Sequence, residues 1–174
     1  NDTSFDAGWL GLREGFDRTA RAEAARRLHL TQVFAALQPP QGAPWRVIDL
    51  GCGTGATVRA LSPLLPGAQQ WLLVDQDARL LEHTPSTLGR ASCRTLRIDL
   101  ARGLHRLPFD GVTLVTASAL IDLVGAAWLR ALVAASTGAG AALLLSLNVD
   151  GRWAWQPALR GDALARRLFA EHQA

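Results

Sequence analysis

Apolar residues along this chain fall into short continuous runs, each ended by glycine or by a polar residue. Val47-Ile48 and Leu50 stop abruptly in Gly51, Gly53 and Gly55. Trp71–Val74 ends in Asp75-Gln76-Asp77, and Cys93–Ile98 ends in Asp99. Val112–Ala117 and Ala141–Leu147 are almost wholly apolar, as strands buried on both faces of a parallel sheet must be. These five runs predict strands, the first being Arg46–Leu50. The intervening segments carry helical spacing. Helices are expected over Ala56–Leu65, over Ala78 to His83 with a break at Pro85 and a loop to Ser92, and over Ala126–Ala135 with Gly138 as stop. A last helix is expected from Asp162 to the chain end. Before the strands, Leu30, Val33, Phe34 and Leu37 lie on one helical face. That predicts a helix over Thr19–Leu37 capped by Asp17, preceded by a short helical or irregular arm over residues 5–16 and followed by a Pro39–Pro44 linker.

Strands alternating with helices pair in parallel through right-handed crossovers, so the expected class is α/β with a doubly wound, mostly parallel sheet. The third run alternates Leu96 and Ile98 with Thr95 and Arg97, which suits an edge, and the expected order is 3-2-1-4-5. Direction reverses between the first and fourth strands, and ligands bind beyond the carboxyl ends at such a reversal. Asp49, the glycines, Asp75, Asp99 and Ser118 all fall there.

The glycine turn presents bare backbone to a nucleotide-like ligand. Gly51-x-Gly53-x-x-Ala56 with Asp75 downstream also satisfies the dinucleotide fingerprint, so a nicotinamide-dependent oxidoreductase has to be weighed. Asp49, two residues before the first glycine, would crowd a pyrophosphate but suits a ligand bearing an ammonium and a sulfonium. Gly55 opens the turn for an amino-acid moiety, and Asp99 offers a carboxylate to an adenine edge.

The stretch Val47-Ile48-Asp49-Leu50-Gly51-Cys52-Gly53-Thr54-Gly55 resembles the signature of class I S-adenosylmethionine-dependent methyltransferases. Leu73-Val74-Asp75, Ile98-Asp99-Leu100 and Phe109-Asp110 continue the likeness over residues 45–148. The resemblance implies S-adenosylmethionine as cofactor, with S-adenosylhomocysteine as product. It implies Asp75 on the ribose hydroxyls, Asp99 at the adenine amino group, and Gly51, Gly53 and Gly55 beneath the methionine portion. Asp49, Cys52, Gln76, Leu100 and Ser118, their neighbours at the strand ends, complete the candidate cofactor-binding set. The family's sheet ends in an antiparallel strand pair that would begin where Ala174 stands. Residues 45–174 are therefore expected to form a C-terminally incomplete cofactor domain behind a helical cap, residues 1–44.

Methyl transfer from a sulfonium needs alignment and exclusion of water more than it needs catalytic groups. Asp122, the one titratable residue in the loop after the fourth strand, is the candidate base or acceptor ligand; its alternative role is to cap the next helix. Arg13 and Arg21 are candidates to clamp a carboxylate, and Trp9 to cover the ligand. Asn148, Asp150, Trp153 and Trp155 are candidates for an acceptor pocket. An Asn-Pro-Pro-Tyr type motif and a metal-binding carboxylate cluster are both missing from the sequence. Both losses favour a small-molecule acceptor, with an RNA or protein acceptor, or a non-catalytic fold relative, as the alternatives.

Composition adds a little. The 174 residues suffice for one core, and Cys52 and Cys93 form neither a disulfide framework nor a metal motif, so no metal is expected. All 18 basic residues are arginine, which with the many alanines looks like GC-rich bacterial coding. Together with the paired-off possibilities for cysteine, this gives the expectation of a bacterial, cytoplasmic protein. The net charge of +3 is scattered, giving nucleic acid no support, and no run is long enough for a membrane span. Oligomeric state is not predicted.

Overall fold

A computed structural model describes residues 7–147 and 155–173. The chain begins with α1 (Ala7–Arg27) and α2 (Leu30–Ala36), followed by β1 (Trp45–Leu50), α3 (Ala56–Leu61), β2 (Gln69–Asp75), α4 (Ala78–Glu82) and β3 (Thr87–Leu88). It continues through β4 (Ala91–Arg97), α5 (Leu100–Gly103), β5 (Leu114–Ser118), α6 (Ala126–Gly138), β6 (Ala142–Ser146) and α7 (Asp162–Gln173). One six-stranded sheet has the order β3-β4-β2-β1-β5-β6. Its five longer strands are parallel and come in the expected order.

The alternation of side chains along each strand builds two cores. On one face Ile48, Leu50, Val74, Ile98 and Val115 pack with Leu132 of α6 and with Leu104 and Leu107. On the other, Val47, Trp71, Leu73 and Leu114 pack under Phe34 of α2 and Val58 and Leu61 of α3. Phe34 meets Trp45 edge-on, with ring centroids 5.9 Å apart. Gln69 is buried because its amide donates to the Ser62 and Leu65 carbonyls, both at 2.9 Å, while its Oε1 accepts the Trp71 indole N–H. That network satisfies carbonyls freed where α3 ends.

Several boundaries differ from the sequence expectation. Of the two readings of the arm the helical one holds, since α1 starts at Ala7, but Asp17 lies inside α1 rather than capping a helix. The long helix breaks at His29, which takes a left-handed conformation (φ 50°), so Thr19–Leu37 is not one element. The helix expected to Leu65 stops at Leu61 and tightens to a 3-10 turn over Ser62–Leu64, since Pro63 has no N–H to continue the ladder. The expected loop before Ser92 contains β3. It pairs antiparallel with β4 across a two-residue turn in which Gly89 has φ +56°, so the third long strand is not the sheet edge. Gly138 does not stop α6 but is its last residue; the left-handed glycine is Gly140 (φ +70°). Finally, α5 was not expected; Asp99 caps it by accepting the Ala101 N–H at 3.0 Å.

Phe34→Ala should destabilise the chain by about 3–5 kcal/mol in urea unfolding, as a large buried aromatic is lost. Val33→Ala, on the exposed face of the same helix, should cost less than about 1 kcal/mol.

Candidate functional site

β1 ends in Asp49-Leu50, and the chain turns over Gly51, Cys52, Gly53 and Thr54 before α3 starts after Gly55. The three glycines all take positive φ, +64°, +55° and +85°, which any other residue would enter only under strain. The turn is tied to β2 twice: the Cys52 N–H donates to the Val74 carbonyl, and the Gly53 N–H donates to Asp75 Oδ2 at 2.9 Å. Asp75 Oδ1 accepts the Asp77 N–H. Each Asp75 oxygen therefore holds one backbone bond and keeps further acceptor capacity.

Asp49 is fully buried. Its register partner on β5, Thr116, donates to Asp49 Oδ1 at 2.8 Å, while Asp49 Oδ2 has no hydrogen-bond partner. Burial pushes the carboxyl up to about 7. The Thr116 hydroxyl, the charge of Arg21 and the nearby Thr57, outside hydrogen-bond geometry, oppose the rise, and the charge of Asp75 adds to it.

The carboxyl edge is covered by α1. Leu10, Glu14 and Arg21 fall within one narrow stripe of that helix at 100° per residue. Leu10 Cδ1 lies 3.7 Å from where a Cβ on Gly53 would stand. Glu14 forms a two-point ion pair with Arg59 of α3, Nε to Oε1 at 2.5 Å and Nη2 to Oε2 at 2.8 Å. Arg59 Nη1 also donates to the Thr54 carbonyl at 2.7 Å, so one guanidinium joins α1, α3 and the glycine turn. Arg21 Nη2 donates to Ser118 Oγ at 2.9 Å, and its Nε is buried without a partner. Just beyond Ser118, Ala119 takes φ +52°, a strained conformation that accompanies the placement of Leu120 against Gly51.

The strand ends thus bring together Asp49, Gly51, Cys52, Gly53, Gly55, Asp75, Ser118 and Arg21. Gln76 is exposed, and its carbonyl accepts from Arg97. Asp99 is exposed with one oxygen engaged as a cap. Leu100 is buried, and its carbonyl accepts the Trp128 indole N–H at 2.7 Å. Cys52 is buried, and burial together with the charges of Asp49 and Asp75 pushes its thiol up, far from a nucleophile. Asp122 is exposed in the turn after β5 and does not cap α6, whose first flanking residue is Gly125. Arg13 lies in α1, and the side chains of Arg13 and Trp9 are outside the described residues, as are residues 148–154. The sequence reading missed Glu14, Arg59, Thr116 and Ala119; a charge pattern on α1 recurring with Arg21 was the available signal for Glu14. Among the described residues no cluster of potential metal ligands occurs, and no helix is long and apolar enough to cross a membrane.

Among solved structures, the chain is similar to S-adenosylmethionine-bound CalS10, an amino pentose methyltransferase from Micromonospora echinaspora. The identity is 22%, the match covers 91% of this chain and 61% of that one, and the TM-score is 0.50. This chain has the fold of the class I S-adenosylmethionine-dependent methyltransferases. Structures of such methyltransferases from Archaeoglobus fulgidus (16% identity, 75% and 52% of the two chains, TM-score 0.48) and Mesorhizobium loti (24%, 60% and 47%, TM-score 0.42) are also similar. The chain spans between 47% and 61% of the length of these three structures. No protein-family model and no curated protein matches it. In this fold the glycine turn after β1 stands at the switch in strand order, where Asp49 and Arg21 meet.

Glu14→Gln should weaken the seating of α1 on the turn. The pair is about one-third exposed, so the loss should be only ~1 kcal/mol. Amide hydrogen exchange over Leu10–Glu14 and Thr54–Arg59 should quicken about fivefold, without a comparable change in β1. Iodoacetamide at mildly alkaline pH should label Cys93 in the native chain before Cys52, as mass spectrometry of peptides would show.

Proposed function

We propose that this chain is the cofactor-binding part of a methyltransferase that takes the methyl group from S-adenosylmethionine and gives it to a small molecule. The observation that carries this reading is a pair of buried polar atoms without partners among the described residues, Asp49 Oδ2 and Arg21 Nε, at one glycine turn. Buried polar groups are nearly always satisfied, and a charged one left alone is costly. An α-amino acid ligand carries the two groups that would complete them: its ammonium suits Asp49, and its carboxylate suits Arg21. Asp75 retains acceptor capacity for ribose hydroxyls, and Asp99 Oδ2 for an adenine amino group. A pyrophosphate would instead bring negative charge toward Asp49 and Asp75.

When bound, the sulfonium supplies an activated methyl group and a good leaving group. The residues of this chain orient and enclose it: Leu10 and Leu120 exclude water over the turn, while Arg59 and Glu14 hold α1 down. Residues 1–44 act as the cap in this reading, with Asp122 at the open side of the β5 end as base or acceptor ligand. A small-molecule acceptor is favoured by the scattered charge and by the likeness to CalS10, an amino pentose methyltransferase.

Isothermal calorimetry with S-adenosylhomocysteine, using NAD as the control, tests the reading. S-adenosylhomocysteine should bind and raise the melting temperature, by about 2.7 kcal/mol of stabilisation at a hundredfold excess over Kd. Binding of NAD alone would overturn it. Asp49→Asn should weaken binding at least about tenfold, since a charge-assisted bond is lost.

Asp49 also sets a pH dependence. Its folded-state value of about 7 lies above the ordinary 3.8, so its protonation favours folding fully below pH 3.8, and that contribution disappears as pH rises through about 7. The ammonium needs the carboxylate. Affinity for S-adenosylhomocysteine should therefore rise between about pH 6 and 8, with a proton released on binding, and Asp49→Asn should abolish both effects.

A further inference from the structure

At the opposite end of the strands from the glycine turn, the row of Arg46, Gln70 and Ser92 is exposed. A cleft of about 440 Å³ lies there. Strand register dictates what lines it. Arg46 pairs with Gln70, and Gln70 with Ser92, so three polar side chains form a row across β1, β2 and β4. In the next row on the same face, Ile48 pairs with Leu72 and Leu72 with Arg94. The cleft therefore has the half-buried Leu72 and the exposed Pro108 as its apolar surface, with Ile48 and Val112 buried beneath, and Arg46, Arg94 and Asp110 around it.

Neither guanidinium is spent inside the molecule. Among the described residues no ion pair or hydrogen bond engages the guanidinium of Arg46 or of Arg94, and both side chains are exposed. Arg46 rests against the bare turn at Gly111 (φ +69°), where a Cβ would lie 3.0 Å from its Nη1. A lone exposed arginine is simply solvated. Two of them lining one cleft, with the exposed Gln70 amide between and an apolar surface beside them, offer several donors to one anion.

We propose that this cleft is a second binding site, separate from the glycine turn, for a small phosphate monoester with a flat or apolar body. The phosphate bridges Arg46 and Arg94 beside Gln70, and the body lies on Leu72 and Pro108. The volume suits a ligand of mononucleotide size. Asp110 is the one negative group facing the cleft, and it opposes the ligand without cancelling both arginines. The proposal does not rest on the identity of the cofactor.

Phenyl phosphate and inorganic phosphate, titrated at constant ionic strength and followed by amide chemical shifts, are the probes. Phenyl phosphate should saturate, bind more tightly than inorganic phosphate, and shift the amides of Arg46, Ser92, Gly111 and Thr113 rather than those of Gly51–Gly55. Arg46→Gln and Arg94→Gln should each weaken it about tenfold, and Asp110→Asn should strengthen it. Both arginines are exposed, so the variants should fold as the parent does. Unsaturable binding, equal affinity for the two probes, shifts confined to the glycine turn, or a double arginine variant that binds like the parent would each overturn the site.

Discussion

The constraint on which the carboxyl edge depends is the complete burial of the Asp49 carboxyl between β1 and β5. Thr116 satisfies one oxygen from the adjoining strand, and the other is left without a partner. A group so placed is held against its own preference for water, and its acidity is displaced accordingly. Everything near it can be understood as managing that charge. The hydroxyl of Thr116 and the guanidinium of Arg21 favour the anion, and Asp75, which disfavours it, is turned toward backbone N–H groups instead.

Arg59 links this edge to the N-terminal helices. It receives Glu14 from α1 and gives a hydrogen bond to the glycine turn, so the position of the helix and the shape of the turn are not independent. The stripe of α1 that faces the sheet is mostly polar or charged, with Leu10 as its apolar member at the turn. Such a helix docks through ion pairs that are individually weak, whereas α2 docks through the buried Phe34. The hydrophobic pattern therefore marks α2 and the second half of α1 but not where α1 begins.

The same sheet offers two chemically different ends. At the carboxyl ends of the strands the polar groups are carboxylates and bare backbone, suited to a cation. Toward the amino ends the exposed arginines Arg46 and Arg94 line a cleft with Leu72 and Pro108. The arrangement follows from alternation along β1: Arg46 and Ile48 project to one face, while Val47 and Asp49 project to the other.

The sequence by itself determined the parallel order of the five long strands, because continuous apolar runs alternating with helices admit few topologies. It also determined which carboxylates and glycines stand at the strand ends, since these close each run. It could not reveal that Asp99 caps α5, that Pro63 ends α3 early, or that β3 turns back on β4, because these depend on local hydrogen bonds that periodicity does not encode. Nor could it show that Arg21 reaches Ser118, 97 residues away, or that Glu14 finds Arg59. Contacts between charged side chains distant in sequence leave no periodic trace. Only the packing of α1 across the sheet brings them within reach.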